Sequence, residues 1–303
     1  MARQNWKTEF RRTGLTARRN EVDTGAAVLP RLTAMEAIAA KIAQVPGIVG
    51  VMLGGSRARG THRPDSDWDL GVYYRGEPDL AALETLAAEV TGGPVEVYGP
   101  GAWGAWVNGG AWLELPDGRQ VDWILRDVDR VRQVWEECRA GRFEIGVQAG
   151  HPLGFWSPAY PGEAALGRVL ADPGGELARL RQETQDYPEP LRKALTGGAV
   201  WDAGFSVAMA GKSYAARDVL HSALCLSRAV GYLVQALHAH HRTWCLNEKG
   251  ALTAAAAMPE TPPGFGARAQ ALLGELGHTE EELGRSLTAA EELVAEVREV
   301  TGG

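Results

Sequence analysis

The sequence predicts an α+β fold, in which a mixed-sheet domain is followed by a helical bundle domain. Short apolar runs rich in β-branched residues alternate with helical patterns over residues 31–150. A segment with repeated proline and glycine, residues 151–163, comes next, and almost every segment beyond it has helical periodicity. We therefore expect an arginine-rich arm over 1–30, a first domain over 31–150 and a helical domain over 151–303.

The first domain is expected to alternate helices with strands. A proline and a glycine at 46–47 end the first helix, and two glycines at 92–93 close the second. The predicted helices cover 32–45, 79–93 and 127–141, and the predicted strands cover 47–53, 68–74, 95–99, 105–115 and 118–125. In the second domain the predicted helices cover 175–184, 212–241 and 267–277. A last helix is expected to begin at Thr279, which forms a capping box with Glu282.

The composition is that of an ordinary globular protein. The 303 residues are 45% hydrophobic and 23% charged, with a formal net charge of -7. This acidic balance argues against a nucleic-acid partner, because neutralisation of phosphates by lysine and arginine supplies most of such affinity. No apolar run fits a signal peptide or a membrane span, so we expect a soluble cytoplasmic protein with no membrane partner. Cys138, Cys225 and Cys245 lack metal-ligand spacing and are expected to be reduced thiols.

One segment, GGSRARGTHRPDSDWDLGVYY at 54–74, carries the candidate chemistry. A predicted buried strand ends at Gly54 and Gly55, and Ser56 stands where a helix should begin. Glycine lets the backbone approach a phosphate closely, and backbone N–H groups at a helix start point at the anion. Gly55 and Ser56 are therefore predicted to hold a nucleoside triphosphate, ATP or another. Arg57 and Arg59 are either clamps for phosphate oxygens or ordinary surface arginines.

Asp67 and Asp69 are predicted to bind a metal ion. Alternate side chains of a strand share a face, so both carboxylates point the same way. Two carboxylates at such a short distance repel each other unless a cation lies between them, and hard oxygen ligands select Mg²⁺ or Mn²⁺. Asp122, in the predicted strand 118–125, is expected to be a third ligand. It is also the expected base for the proton of an attacking hydroxyl.

The order Gly-Ser, about ten residues, Asp-x-Asp and a later Asp resembles the nucleotidyltransferase superfamily of DNA polymerase β. The segments GSRARGT and PDSDWDL are most similar to minimal nucleotidyltransferases and to antibiotic nucleotidyltransferases of the kanamycin and lincosamide type. The motif resemblance covers residues 48–125, and LNEKG at 246–250 is similar to a segment of bacterial members. The resemblance implies an Mg²⁺-dependent enzyme and the roles described above for its five motif residues, Gly55, Ser56, Asp67, Asp69 and Asp122.

The resemblance also implies that a basic residue of the helical domain contacts the β- and γ-phosphates. Lys212 is the candidate, and a solvated lysine at a helix end is the alternative. Glu163 is a second candidate base by similarity to the kanamycin enzyme, or it caps a helix. The histidines at 238, 240 and 241 are interpreted as partners of a helix end rather than metal ligands. The tryptophans at 103, 106 and 112 are expected to pack in the core rather than to stack on a sugar or base.

We therefore predict a metal-dependent nucleotidyltransferase that transfers AMP from ATP to a hydroxyl of a small-molecule acceptor and releases pyrophosphate. An acidic cleft would attract a polycation, so an aminoglycoside-like antibiotic is the expected acceptor. Two alternatives stay open. One is nucleotidylation of a protein or RNA partner, as in antitoxin-like minimal nucleotidyltransferases, and the other is a nucleotide-binding module without activity. The sequence does not specify an oligomeric state.

Overall fold

The computed structural model describes residues 25–302, and their side chains from residue 32 onward. The predicted arm over 1–30 therefore lies mostly outside the described residues. Residues 25–30 are an exception, because helix α1 (Gly25–Ile42) begins there. The helix therefore begins before residue 32, where its apolar periodicity predicted the start, and ends three residues before the predicted end at residue 45.

The strands of the described residues form two sheets. Their bounds are β1 (Ile48–Leu53), β2 (Trp68–Tyr74), β3 (Gly110–Glu114), β4 (Gln120–Asp127), β5 (Ile145–Gln148), β6 (His151–Trp156) and β7 (Arg168–Ala171). Five of them form a sheet in the order β3-β4-β2-β1-β7, and β5 pairs with β6 in a separate hairpin. Strands β2 and β4 are parallel, whereas the other neighbours in the large sheet are antiparallel. The predicted mixed sheet is thus confirmed.

Helices pack on both faces of this sheet and make up most of the second half. After α1 they are α2 (Gly55–Ala58), α3 (Leu80–Thr91), α4 (Val128–Arg139), α5 (Ala159–Leu166), α6 (Glu176–Glu183), α7 (Glu189–Ala210), α8 (Val219–His240), α9 (Ala251–Ala256), α10 (Phe265–Gly274) and α11 (Glu280–Thr301). The long helices α7, α8 and α11 share one apolar core with α9 and α10. The capping box of Thr279 and Glu282 is present at the start of α11. The α+β class with a C-terminal helical region is therefore confirmed.

Alternation along the strands gives the large sheet two different faces. Leu70 and Val72 of β2 and Trp123 and Leu125 of β4 are buried in a core with residues of α1 and α3. The residues between them, beginning with Asp69, face the other way. The far end of this second face is covered by an apolar cluster that includes residues of α4, α5 and α6. The near end is left as an open cleft.

Two predicted strands of the first domain are wrong or too long. Residues 95–99 make only an isolated bridge between Tyr98 and Gly110. The strand expected over 105–115 begins at Gly110, because Asn108 has a positive φ of 82° and turns the chain. A Cβ on Gly109 would lie 2.2 Å from the carbonyl oxygen of Gly99, so this close approach of two backbones requires glycine.

The segment 151–163 is not an irregular connection but contains β6 and the start of α5. Pro158 stands at the N-cap of α5, so this proline starts a helix instead of interrupting one. Strand β7 follows and pairs with β1 at the sheet edge, although it lies beyond residue 150. The division of the chain at 150 stays a proposal. No helix within residues 25–302 combines the length and apolar character that a membrane crossing needs.

Candidate active site

The candidate residues of the first half meet in one row across the large sheet. Strand β1 ends at Leu53, and the N–H of Gly54 donates to the carbonyl oxygen of Asp69 at 2.7 Å. Asp69 is in turn the register partner of Asp122 on the parallel strand β4. Partners on neighbouring strands have side chains on the same face. The row therefore brings the Gly-Gly-Ser turn and two carboxylates together on the cleft face.

The three acids differ in how far water reaches them. Asp69 and Asp122 are half-buried, whereas Asp67 is exposed just before β2 begins. Burial raises the pKa of Asp122 to about 7, and repulsion from Asp69 and Asp67 adds to the effect. Burial also raises the pKa of Asp69, helped by Asp67 and Glu163 and opposed by the positive charges of other residues. Asp69 and Asp122 are thus held in sites that disfavour their own negative charges.

Gly55 makes the closest approach between the turn and the acids. Its φ is 60°, in the left-handed region, and a Cβ there would lie 1.7 Å from Oδ2 of Asp69. No side chain but hydrogen fits at this position without moving that carboxylate. Ser56 follows in the one-turn helix α2, where its carbonyl oxygen accepts from the N–H of Thr61 at 3.0 Å. The turn is therefore fixed on both sides of Ser56.

Arg57 holds the loop that carries Asp67. Its guanidinium donates to the carbonyl oxygens of Ser66 at 2.6 Å and Asp67 at 3.1 Å. It also lies 4.4 Å from the ring centre of Trp68. These contacts describe an arginine that shapes the Asp-x-Asp loop, and the phosphate contact expected of Arg57 stays a prediction. Arg59, by contrast, lines the cleft and donates to the carbonyl oxygen of Gly55 at 3.2 Å.

Residues of the second half form the opposite wall of the cleft. Glu163 of α5 lines it, together with Leu246 and Asn247 of the LNEKG segment. Glu163 accepts two bonds from the buried guanidinium of Arg126, at 2.6 and 2.9 Å. Arg126 was not identified from the sequence. The available signal was its position, because Arg126 is a charged residue within the otherwise apolar end of strand β4.

The lysine that the structure brings to the acids is Lys249 and not Lys212. Lys249 is one of the two cations that lower the pKa of Asp69, the other being Arg59. Lys212 lies in the turn between α7 and α8, where its N–H donates to the carbonyl of Met209. It is not among the charges that shift the pKa of Asp69 or Asp122. Lys249 was not identified from the sequence, and the similarity of LNEKG to a segment of bacterial members was the signal available for it.

The donor set fits a hard divalent cation. Asp69 and Asp122 are direct neighbours whose repulsion a cation would relieve, and carboxylate oxygen is the ligand that Mg²⁺ prefers. Within residues 25–302 no three His, Cys, Asp or Glu side chains come together to hold a metal ion, so the predicted set of Asp67, Asp69 and Asp122 is not assembled as three ligands. Magnesium usually binds one or two carboxylates together with substrate phosphates and water. An incomplete set of carboxylates beside an open cleft matches that pattern.

The other candidates have different environments. Buried His238 contacts the carbonyl oxygen of Ala251, and His240 pairs with Glu260, in agreement with a structural role. Trp106 stacks on Phe155. Trp112 departs from the expected core packing, because 55% of it is exposed. It lies on β3 as the register partner of Asp122, at the next position of the row across the sheet.

Two family models match separate parts of the chain. Residues 36–95 match the model described as polymerase beta nucleotidyltransferase. Residues 162–249 match a domain of unknown function, DUF4037. The first match contains the Gly-Gly-Ser turn, Asp67 and Asp69, but ends before Asp122. The second contains the residues of the opposite wall, Glu163, Leu246, Asn247 and Lys249.

Further comparisons add a structural neighbour. The chain is similar to a nucleotidyltransferase-like protein from Exiguobacterium sibiricum 255-15, with 13% identity and a TM-score of 0.47. The similarity covers 90% of this chain and 77% of that one. No curated protein matches the chain.

Proposed function

We propose that the chain, of which residues 36–95 match the polymerase beta nucleotidyltransferase model, transfers AMP from ATP to a hydroxyl of a small-molecule acceptor. The observation that carries the proposal is the row formed by the Gly54-Gly55 turn, Asp69 and Asp122 across neighbouring strands. A turn that accommodates phosphates lies directly beside two carboxylates, Asp69 and Asp122, whose burial and mutual repulsion disfavour their negative charges. This arrangement suits chemistry at a phosphorus atom.

In the proposed reaction, different cleft residues bind the phosphates, hold the metal ion and accept the proton. Gly55 and Ser56 bind the triphosphate through backbone N–H groups and the serine hydroxyl. Asp67, Asp69 and Asp122 would hold Mg²⁺, which when bound offsets negative charge on the phosphates. The acceptor hydroxyl forms a new bond to the α-phosphorus, the bond from that atom to the pyrophosphate oxygen breaks, and pyrophosphate leaves. Asp122 takes the hydroxyl proton.

Glu163 suits a different role from that of the base. Its carboxylate accepts both bonds of the Arg126 guanidinium, which is only 4% exposed. Taking a proton would leave this buried arginine without its negative partner, at a cost of several kcal/mol. We assign Glu163 to holding the cleft wall against β4, and the base function to Asp122.

Lys249 and Arg59 complete the nucleotide site. Both lie close enough to Asp69 to lower its pKa, and they come from opposite sides of the cleft. Positive groups there suit the charge of the β- and γ-phosphates. Lys249 therefore replaces Lys212 as the basic residue supplied by the helical region.

The acidic cleft favours a cationic acceptor, and an aminoglycoside-like compound is the first candidate. The direct test incubates the chain with ATP and Mg²⁺ and with pooled candidate acceptors, followed by mass spectrometry. One acceptor should gain the mass of an adenylyl group, and an Asp67→Asn and Asp69→Asn double variant should not produce it. Modification of a protein or an RNA in the same assay, with no small molecule modified, would contradict the proposed acceptor class. No adenylylated or other nucleotidylated product with any acceptor or nucleoside triphosphate would contradict the activity.

A further inference from the structure

We propose that Trp112 is the ring-binding platform for the acceptor, an inference that rests on the proposed transfer reaction. Trp112, Asp122 and Asp69 occupy successive partner positions on β3, β4 and β2. Neighbouring strands are about 4.8 Å apart, so the indole stands one strand from Asp122 and two from Asp69. All three side chains are on the cleft face. The row thus continues past the acids into an aromatic surface.

The environment of Trp112 differs from that of a core tryptophan. Its strand neighbours Ala111 and Leu113 are buried on the opposite face of the sheet, whereas 55% of Trp112 is exposed. One face of the indole is covered by Trp103, with ring centres 4.3 Å apart and planes at 19°. An indole that is stacked on one side and more than half exposed has its other ring face open to a ligand.

The aromatic neighbours hold Trp112 in place from the side away from the acids. Tyr98 pairs with Gly110 along the edge of β3 opposite to β4, and its ring centre lies 5.9 Å from that of Trp112. The backbone of Trp103 is fixed as well, since its N–H donates to Asn108 and its carbonyl accepts from the side chain of Gln148. A platform held in this way orders a bound ring at little cost in side-chain freedom.

The geometry of the reaction places the acceptor at this end of the row. In displacement at phosphorus the entering and leaving oxygens lie roughly in line. Gly55 and Ser56 hold the phosphates at the β1 end, so pyrophosphate leaves toward that end. The attacking hydroxyl must then come from the side of Asp122 and Trp112. A hydroxyl carried on a ring that rests on Trp112 would lie next to Asp122.

The charge around the platform defines the ligand further. Glu114 is two residues along β3 from Trp112 and therefore lies on the same face, where it is exposed. Together with Asp122 it puts negative charge on two sides of the indole. The expected ligand is a small compound with a carbon-rich ring face, a hydroxyl and a protonated amine. The ring packs on the indole, and the amine pairs with Glu114.

The test compares two amino alcohols that differ only in ring closure. Aminocyclohexanol and aminohexanol are titrated by ligand-observed NMR into the full chain, with and without Mg²⁺ and α,β-methylene ATP, which cannot release pyrophosphate. The variants are Trp112→Ala, Trp112→Phe and Trp201→Ala. Trp201 is the matched control, because it is 63% exposed and stacked on Phe205 but lies on α7 in the helical region.

We expect the native chain to prefer aminocyclohexanol, and Trp112→Ala to weaken its binding about fivefold or more. Trp112→Phe should retain most of the binding, and Trp201→Ala all of it. Equal binding of the two alcohols, or of the ring compound to native chain and Trp112→Ala, overturns the inference. So does a loss of nucleotide binding in Trp112→Ala, which would assign the platform to the base of ATP. Failure of the native chain to bind the nucleotide would instead count against the proposed function, and the titration without nucleotide still decides the role of Trp112.

Discussion

The two faces of the large sheet use the same strands for different purposes. On β2 the side chains of Trp68 and Leu70 are 4% and 0% exposed and pack in the core, whereas Asp69 between them lies in the cleft. On β4 the same alternation separates buried Val121 and Trp123 from Asp122. Because the period is two residues, a shift of one position would exchange the core for the site. The core face thus fixes the register that brings the acids together.

Alanine substitutions of two adjacent residues, one on each face of the sheet, test this division of roles with the largest expected effect. Asp69→Ala should reduce transfer roughly a thousandfold or more, since it removes a metal ligand. It should leave the melting temperature unchanged or raised, because carboxylate repulsion is relieved.

Leu70→Ala should lower the free energy of unfolding by about 2–5 kcal/mol, because it removes a fully buried side chain. Its turnover per folded molecule should stay near that of the native chain. Turnover assays and thermal unfolding of both variants check this, and a strong loss of stability in Asp69→Ala would contradict the division of roles.

Substitution of Asp122 tests whether a residue of the cleft face lowers the stability of the fold while it contributes to catalysis. Asp122→Asn should slow transfer by about 10²–10⁴. In the metal-free native chain, burial and Asp69 raise the pKa of Asp122 to about 7, above its value in the unfolded chain. The folded state therefore keeps a proton that the unfolded state has released, and stability falls as pH rises from about 4 to about 7.

Asp122→Asn cannot titrate, so its metal-free unfolding curve should depend less on pH in that window and show higher stability near pH 8. Denaturant unfolding in a chelator, from pH 5 to pH 8, measures the difference. Mg²⁺ should reduce the dependence in the native chain. A native chain that becomes more stable between pH 5 and pH 7 without metal would show that Asp122 is not held as described.

The alternation that separates the two faces is also what made this half of the site predictable. Strand β2 has the bounds that its sequence pattern predicted, and β4 is shifted by only two residues at each end. The Gly-Ser and Asp-x-Asp segments flank these elements, so their placement followed from strand order. Local patterns reveal such features because the interacting residues are close in sequence or in a repeating register.

Helix α7 shows why other parts were not predictable. Adjacent glycines at 197–198 disfavour a helix interior, by about 1 kcal/mol each relative to alanine. Packing overrides this preference, because Leu191, Leu195, Ala199 and Ala203 are all buried in the bundle core. The ion pair of Arg126 with Glu163 could not be predicted for a related reason, because the partners are 37 residues apart and lie on different elements. Tertiary contacts of this kind leave no periodic signal in the sequence.

Glycine substitutions compare two positions at opposite ends of the one-turn helix α2. Gly55 and Gly60 have φ values of 60° and 70°, but a Cβ would strike Asp69 only at Gly55 and would meet open space at Gly60. Each alanine variant should lose about 1–2 kcal/mol from backbone strain. Gly55→Ala should also lower turnover roughly a hundredfold by displacing the carboxylate, whereas Gly60→Ala should not. Similar turnover in the two variants would show that the Gly55–Asp69 contact does not matter for the reaction.

The smallest expected effect concerns the two lysines. Lys249→Ala should weaken binding of ATP with Mg²⁺ about tenfold, as expected for loss of one charged contact to a phosphate. Lys212→Ala should leave it unchanged, since Lys212 lies in the turn between α7 and α8 and is not among the charges that act on Asp69. Equilibrium dialysis with labelled ATP measures both. The reverse order would restore Lys212 as the phosphate contact.

Titration calorimetry of ATP with the native chain and with Asp69→Asn, each with Mg²⁺ and with a chelator, tests the cleft most directly. The native chain should bind ATP with Mg²⁺ and lose most of the affinity in the chelator, because the phosphates then face uncompensated carboxylates. Asp69→Asn should bind ATP better than the native chain in the chelator, because one repelling charge is gone, and should gain little from Mg²⁺. Binding by the native chain that is equally tight with and without metal, or a full Mg²⁺ response in Asp69→Asn, would contradict the assignment of the acids as the metal site beside the nucleotide.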